Sequence, residues 1–215
     1  MKKYISIIMV LILALGVFAA CGKKDGKNDE TTTEPFVSEK LSDGDFDYET
    51  LPDGSAKVVA YKYNPGKGEL HIPEAIGTVA VTAIADSAFE NATNIREIYL
   101  PKSIKSIGSK AFKGSSLTKI ITTSCKDLTS IGDEAFADCK NLIQADISAS
   151  VTSIGKNAFA NDDAIVSLVF RGKAPLKLTA DMFTGAKIRT IFTDYEIKEI
   201  KTFAEEMGFG YKVNG

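Results

Sequence analysis

The chain has 215 residues, of which 44% are hydrophobic and 25% charged, and its formal net charge is −2. This composition is ordinary for a soluble fold and leaves room for one domain and a targeting segment. Without residues 1–21, which carry two lysines and no acid, 24 basic residues face 28 acidic ones. This acidic balance argues against a nucleic-acid partner and against electrostatic docking on anionic lipid.

The first 21 residues have the three parts of an export signal. Lys2 and Lys3 supply a positive start, and residues 5–18 are apolar apart from Ser6. Small residues then lead to a cysteine. An apolar stretch of this length is too short to span a bilayer comfortably but suits a secretory signal. We therefore expect the protein to leave the cytoplasm.

Cys21 lies where a bacterial lipoprotein signal places its lipid-modified residue. A diacyl group plus an acylated amino terminus holds a protein on a membrane more firmly than one acyl chain does. The position three before the cysteine is usually Leu in such signals and is Phe18 here. Ordinary cleavage after Ala19 or Ala20 is the alternative. The chain is thus predicted to be lipid-anchored in the cell envelope at the cell surface, or secreted if Cys21 is not lipidated.

Two segments precede the main repeats. Residues 22–42 are polar, and we expect them to form a flexible tether. Residues 43–93 are expected to contain a β-hairpin cap and the first repeat. The hairpin is predicted from apolar residues that begin near Phe46 and continue beyond the turn sequence Pro-Asp-Gly at 52–54. Such a cap would cover the open end of a repeat array.

A short motif recurs every 23 or 24 residues from the first repeat onward. Each copy has an Ile, a small residue and then Ala-Phe. A degenerate copy has Met182-Phe183 in place of Ala-Phe. A fixed period in this range marks a solenoid, in which each unit buries its apolar face only against its neighbours. We expect the aromatic rings to fill the gaps between stacked units. The phenylalanines are Phe89, Phe112, Phe136, Phe159 and Phe183.

Each repeat, through residues 94–192, is predicted to open with a strand. The period is too short for a strand plus a long helix. We therefore expect an α/β repeat solenoid with a parallel β-sheet on one face and short helical or irregular segments on the other. The inward strand positions share an apolar character that only Thr122 breaks. They are Leu70, Ile72, Ile98, Leu100, Ile120, Thr122, Ala145, Ile147, Leu168 and Phe170.

The residue between two inward positions must point outward, because side chains alternate along a strand. In chain order this outward row holds His71, Tyr99, Ile121, Asp146, Val169 and Phe192. Most of these side chains are apolar or aromatic on a face that is expected to be wet, and such exposed rows mark interaction surfaces. The alternative is that β-branched and aromatic residues simply suit strands. The candidate protein-binding residues are Tyr99, Ile121, Asp146, Val169 and Phe192.

Residues 193–215 are predicted to form a capping helix and a tail. Thr193 and Glu196 have capping-box spacing, and Gly208 would end the helix. An apolar stripe at helical spacing would bury the last repeat. The stripe consists of Tyr195, Ile197, Ile200, Phe203, Ala204 and Met207.

The sequence predicts no metal site and no cofactor. Cys125 and Cys139 are the cysteines beyond the export signal, and two cysteines alone do not make a metal site. Cys139 follows Phe136 by three residues, as Ala92 and Ser115 follow the phenylalanines of their repeats, so we expect it to pack as a small hydrophobe. A disulfide between the two cysteines is the alternative if the protein reaches an oxidising compartment, although they fall on different parts of the repeat.

Several motif positions recur in register. Residues 128–136 and 151–159 share the pattern of a hydrophobic residue followed by Thr-Ser-Ile-Gly-x-x-Ala-Phe, and residues 70–73 and 99–101 place a proline after the strand. From residue 46 to about residue 200 the chain resembles the BspA-like leucine-rich repeat of bacterial surface proteins. The resemblance implies a right-handed solenoid exposed on the cell, with roles in adhesion or in binding host and neighbouring-cell proteins. It implies no catalytic residues.

Protein binding is the function that these observations favour. We expect a cell-surface leucine-rich repeat protein that contacts host or neighbouring-cell proteins through the outward sheet face. A passive structural or assembly component of the envelope is the alternative, and the absence of Trp weakens a carbohydrate-binding role. An enzyme is not expected, because the single histidine, His71, lies on a predicted strand and the sequence has no phosphate loop, zinc spacing or nucleophile elbow.

Overall fold

The computed structural model describes residues 37–62, 68–172 and 176–214. Within these ranges the chain winds into a solenoid of short strands with a 3-10 helix and an α-helix near its C-terminal end. The predicted export signal with Cys21 lies outside the described residues, as does most of the expected tether. In chain order the strands are β1 (Lys40–Asp43), β2 (Phe46–Thr50), β3 (Ala56–Tyr61), β4 (Glu69–His71), β5 (Ala75–Ile76), β6 (Val79–Ile84), β7 (Glu97–Tyr99), β8 (Ser106–Ile107), β9 (Lys119–Ile121), β10 (Ser130–Ile131), β11 (Gln144–Ile147), β12 (Ser153–Ile154), β13 (Ser167–Phe170), β14 (Thr190–Thr193) and β15 (Gly210–Val213).

An antiparallel meander closes the N-terminal end of the solenoid. β2 and β3 form the predicted hairpin, with Phe46 opposite Tyr61 and Thr50 opposite Ala56. β1 pairs with β2 and begins at Lys40, within the stretch that was expected to be a tether. β3 then pairs in parallel with β6 and so connects the cap to the repeats. The hairpin is confirmed, and a described strand, β1, already precedes Phe46.

One wall of the solenoid is a sheet of seven strands, here called the front sheet, in the order β4, β7, β9, β11, β13, β14 and β15. All of these strands run parallel, and their register is constant. Leu70 lies opposite Ile98, which lies opposite Ile120. Every inward position predicted from the sequence is buried, with an exposed fraction of 8% or less. The predicted alternation of inward and outward side chains is therefore confirmed.

The opposite wall, here called the back sheet, is more regular than the sequence predicted. β6, β8, β10 and β12 carry the Ile of the recurring motif and pair in parallel. Ile107, Ile131 and Ile154 are in register with one another, and their side chains are buried. Because equivalent residues of successive turns face each other, even two-residue segments can complete their backbone hydrogen bonds with the next turn.

The interior between the two sheets contains a row of stacked phenylalanine rings, here called the ladder. Adjacent rings from Phe89 to Phe183 lie 5.0, 5.3, 5.4 and 5.9 Å apart between centroids, and their planes are within 14° of parallel. Aromatic contacts continue from the ladder into the two caps, through Phe46 at one end and through Phe203 at the other. The expectation that these rings fill the gaps between turns is confirmed.

Two positions in the Ala-Phe segments have a left-handed backbone, which gives each segment its tight bend. One precedes the alanine, with φ from 55° to 57° at Ser87, Lys110, Glu134 and Asn157. The other follows the phenylalanine by two residues and is held by Asn91, Gly114, Asp138, Asn161 and Gly185. Gly, Asn and Asp tolerate this conformation best. The bends let each phenylalanine from Phe89 to Phe159 donate its backbone N–H to a carbonyl of the next turn, at 2.7 to 2.9 Å.

The C-terminal cap differs in detail from the prediction. The α-helix α1 (Lys198–Glu206) buries Ile200 and Ala204, as the apolar stripe predicted. The capping box is wrong, because Thr193 is the last residue of β14 and its hydroxyl is hydrogen-bonded to that of Tyr211 at 2.8 Å. β15 was not predicted and adds a strand to the front sheet. Within the described ranges no helix has the length and hydropathy needed to cross a bilayer.

Cys125 and Cys139 are both free and buried. The thiol of Cys139 donates to the carbonyl of Phe112 at 3.1 Å, and that of Cys125 to the carbonyl of Pro101 at 3.4 Å. Burial raises the pKa of Cys125, and it raises the pKa of Cys139 to about 12. Both thiols therefore stay protonated at neutral pH and pack as small apolar groups.

Candidate functional site

The outward row predicted from the sequence is a real feature of the front sheet. Its members lie side by side on successive strands, with His71 opposite Tyr99 at one end and Val169 opposite Phe192 at the other. Their exposure is uneven. Tyr99 and Ile121 expose 44% and 38% of their surface, whereas Asp146 and Val169 expose only 5% each. The row therefore divides into an exposed part and a covered part.

The exposed part, here called the front patch, consists of His71, Tyr99 and Ile121. The His71 and Tyr99 rings stack with centroids 4.3 Å apart and planes 4° from parallel. The Tyr99 hydroxyl donates to Glu97 Oε2 at 3.0 Å, and this hydrogen bond raises the pKa of Tyr99. The stacking and the hydrogen bond hold the rings in place on the surface, so little side-chain entropy would be lost when a partner covers them.

The covered part is organised by Arg171, whose role was not recognised from the sequence. Its guanidinium donates to both carboxylate oxygens of Asp146, at 2.9 Å and 2.7 Å, and to Asp194 at 2.8 Å. The hydrogen bonds to Asp146 raise the pKa of Arg171. Asp146 was expected to be an exposed binding residue. That expectation is wrong, because the bidentate ion pair with Arg171 shields the Asp146 carboxylate from solvent.

Val169 and Phe192 are also less accessible than the sequence predicted. Val169 lies between Asp146 and Phe192 on the neighbouring strands, and it is buried. Phe192 is half-buried. The expectation that Val169 is exposed is therefore wrong, since the side chains of the strands on both sides leave little of it in contact with water. Of the predicted binding residues, Tyr99 and Ile121 are the exposed ones.

A second exposed apolar pair, which the sequence reasoning missed, lies one residue before strands β11 and β13. Ile143 and Val166 expose 52% and 41% of their surface. They are neighbours on successive turns, since the backbone N–H of Val166 donates to the carbonyl of Ile143 at 2.8 Å. The aligned repeats contain a signal for this pair, because the equivalent positions hold the polar residues Arg96, Thr118 and Arg189.

A shallow depression lies beside Arg171, where the front-sheet strands end. It is lined by Thr123, Lys126, Ser148, Ser150 and Arg171, among others. Two of its hydroxyl groups serve the fold, since the Ser150 hydroxyl donates to the carbonyl of Cys125 at 3.1 Å and lies 3.0 Å from that of Ser148. Among the residues that the structure describes, no cluster of three or more His, Cys, Asp or Glu side chains is arranged to hold a metal ion.

The repeats match a known family. The model described as BspA type Leucine rich repeat region matches six copies over residues 82–205, which is more than half of the chain. No curated protein matches the chain. The family match includes Tyr99 and Ile121 of the front patch, strands β7 to β14 and most of α1.

Solved structures of bacterial leucine-rich repeat proteins are also similar. The pneumococcal vaccine antigen PcpA is 23% identical, with a TM-score of 0.54 over 74% of this chain and 41% of that chain. A leucine-rich repeat protein from Bacteroides capillosus ATCC 29799 is 28% identical, with a TM-score of 0.43 over 54% of this chain and 86% of that chain. A leucine rich cell surface protein from Faecalibacterium prausnitzii A2-165 is 17% identical, with a TM-score of 0.34 over 74% of this chain and 71% of that chain. The likeness to PcpA is one of fold.

Proposed function

Because the chain belongs to the BspA-type leucine-rich repeat family of bacterial surface proteins, we propose that it binds another protein at the cell surface through the front patch. Proteins of this family are generally binding scaffolds without catalytic activity. The partner is a host protein or a protein of a neighbouring cell, and contact with it serves adhesion. The chain is held at the surface by a lipid on Cys21.

The observation that supports this proposal is the exposure of aromatic and apolar side chains in one row of the front sheet, two of which stack on each other. Tyr99 and Ile121 are exposed, whereas the equivalent side chains Asp146 and Val169 are buried. Tyrosine is among the residues that contribute most to binding when a partner desolvates it. The stacked His71 ring extends the surface beside it.

The first test replaces Tyr99 and Ile121 by serine in one variant. We expect the affinity for the partner to fall at least about tenfold, because truncation of a hot-spot residue costs about 2 kcal/mol or more. The thermal melting temperature should change little, since neither side chain belongs to the core. Binding is measured by pull-down and surface plasmon resonance against extracellular matrix proteins and bacterial surface extracts.

The matched control replaces Ile143 and Val166 by serine. This pair exposes a similar apolar surface on the same sheet, so the control removes apolar area without touching the front patch. We expect it to bind as the unmodified chain does. Equal losses in both variants would contradict the front patch as the binding site. If the unmodified chain retains no protein at all, a structural role in the envelope replaces the binding role.

The proposed lipid anchor is tested separately by Cys21→Ser. We expect this variant to lose incorporation of an alkyne-tagged fatty acid and to move from the membrane fraction to the soluble or medium fraction, because the acyl chains supply the membrane affinity. Phe18→Leu is the control, since it restores the residue usual in such signals and should keep the label. An unmodified chain that takes up no label would show that ordinary cleavage releases it.

A further inference from the structure

One buried column of the solenoid contains a carboxylate where the other turns have small neutral side chains. The position follows each phenylalanine of the ladder by three residues. The column holds Ala92, Ser115, Cys139, Asp162 and Ala186. Ser115 and Cys139 are buried, and Asp162 has an exposed fraction of 0%. A charged side chain in such a place is costly unless it is paired.

Only one of the two carboxyl oxygens of Asp162 has a hydrogen-bond partner among the described residues. The backbone N–H of Cys139, in the preceding turn, donates to Asp162 Oδ1 at 2.9 Å. The backbone carbonyl of Asp162 accepts from the N–H of Lys187, in the following turn, at 3.1 Å. Asp162 Oδ2 is buried and has no hydrogen-bond partner among the described residues. The residue therefore joins three successive turns while one of its oxygens stays unpaired.

The charged groups around Asp162 do not neutralise it. Lys140 and Asp138 approach from the preceding turn, and Asp163 is its neighbour in sequence. The Lys140 ammonium donates to the carbonyl of Asn161 at 2.7 Å and to Asp163 at 3.3 Å, and Lys187 pairs with Asp163 at 3.3 Å. Both lysines are thus engaged by the exposed Asp163. The Cys139 thiol stays neutral.

Burial is the main reason why the pKa of Asp162 rises to about 8. In the unfolded chain this carboxyl has its ordinary pKa near 3.8. Below pH 4 the carboxyl is neutral in both states, and its contribution to stability is complete. As the pH rises from about 4 to about 8, the unfolded chain releases the proton and the folded chain keeps it, so stability falls. Above about pH 8 the folded chain carries a buried charge.

The carboxyl of Asp162 lies at the interface with the preceding turn. Its one hydrogen bond comes from the Cys139 N–H, and Lys140 and Asp138 of that turn are among the charged groups nearest to it. The next turn meets only the backbone carbonyl of Asp162, which does not ionise. Because repeat arrays open at their weakest interface, ionisation of Asp162 should separate the turns from Gln144 onward from the turns before them.

We propose that Asp162 is a proton-dependent lock in which the neutral carboxylic acid holds the C-terminal turns, residues 144–214, onto the rest of the solenoid. Loss of the proton leaves an unpaired charge between turns, and these C-terminal turns open while the N-terminal turns stay folded. Alkaline conditions therefore release the C-terminal part of the front sheet, with Arg171 and Phe192, before the front patch is affected.

The experiment compares the full chain with Asp162→Asn, which keeps the acceptor for Cys139 but cannot ionise. We expect the melting temperature of the unmodified chain to fall between pH 5 and pH 9, and that of Asp162→Asn to stay nearly constant. At pH 9 the variant should melt about 5 °C or more above the unmodified chain. Hydrogen exchange corrected for intrinsic rates should show lost protection in residues 144–214 of the unmodified chain at pH 9, with residues 84–139 still protected.

Two further variants make the outcome decisive. Asp163→Asn removes the neighbouring exposed carboxylate and should keep the pH dependence of the unmodified chain. Asp162→Ser introduces the side chain that Ser115 has at the equivalent position. It replaces Asp162→Asn as the non-ionising variant if Asp162→Asn does not fold. The proposal is overturned if Asp162→Asn and the unmodified chain have the same pH profile, if Asp163→Asn abolishes the dependence, or if all turns lose protection together.

Discussion

Replacing Phe136 by alanine is expected to lower the free energy of unfolding by about 3–5 kcal/mol. The ring is fully buried and stacks between Phe112 and Phe159, at 5.3 and 5.4 Å. Its removal leaves a cavity in the middle of the ladder and breaks contact with both neighbouring turns. Urea denaturation followed by circular dichroism measures the loss.

Phe192→Ala is the matched control for this prediction. It removes the same ring from the outer side of the front sheet, where Phe192 is half-buried and lies outside the ladder. We expect it to cost less than half as much as Phe136→Ala, because most of the area it removes is not in the core. Equal costs for the two variants would show that the ladder contributes no more than ordinary surface contacts.

Gly132→Ala is expected to destabilise the protein by about 3 kcal/mol or more, although it adds only one methyl group. A Cβ at this position would lie 2.5 Å from the backbone N of Ser109 and 2.6 Å from the carbonyl C of Gly108, both in the preceding turn. These atoms belong to the backbone and cannot swing away, so the two turns must separate. Gly132 is therefore needed for close approach between turns, and its own φ is not left-handed.

The control is Gly68→Ala, since a Cβ there would meet only Arg96 Cδ, at the ordinary distance of 3.8 Å. We expect its unfolding free energy to stay within about 0.5 kcal/mol of the unmodified chain. The two variants are compared by thermal and urea denaturation under the same conditions. A Gly132→Ala protein as stable as the Gly68→Ala protein would refute the close packing of the turns.

The register of the front sheet was predictable because every turn repeats the same apolar pattern. Leu70, Ile98 and Ile120 occupy equivalent positions, and all three are buried. A period-two alternation leaves no freedom about which face a residue occupies, since a slip of one residue would expose the whole apolar set. The position of Tyr99 and Ile121 on the outer face follows from the same rule.

Local patterns were less reliable at the ends of the chain. Thr193 and Glu196 have the spacing of a capping box, yet Thr193 belongs to β14 and the helix begins only at Lys198. The front sheet continues through β15, and the Tyr211 hydroxyl of that strand is hydrogen-bonded to the Thr193 hydroxyl. A tertiary hydrogen bond between residues 18 apart thus overrode a local signal.

The amino-acid sequence by itself determined the solenoid, the ladder of phenylalanines and the choice of inward and outward positions, because these follow from a repeat that each turn can satisfy with its immediate neighbours. Only the tertiary structure decided which outward residues are accessible and which buried groups are unpaired. Asp146 is covered by Arg171 from the next turn, and Asp162 meets Cys139 from the turn before. Such partners lie 23 to 25 residues apart, and their pairing depends on single side chains that the repeat does not specify.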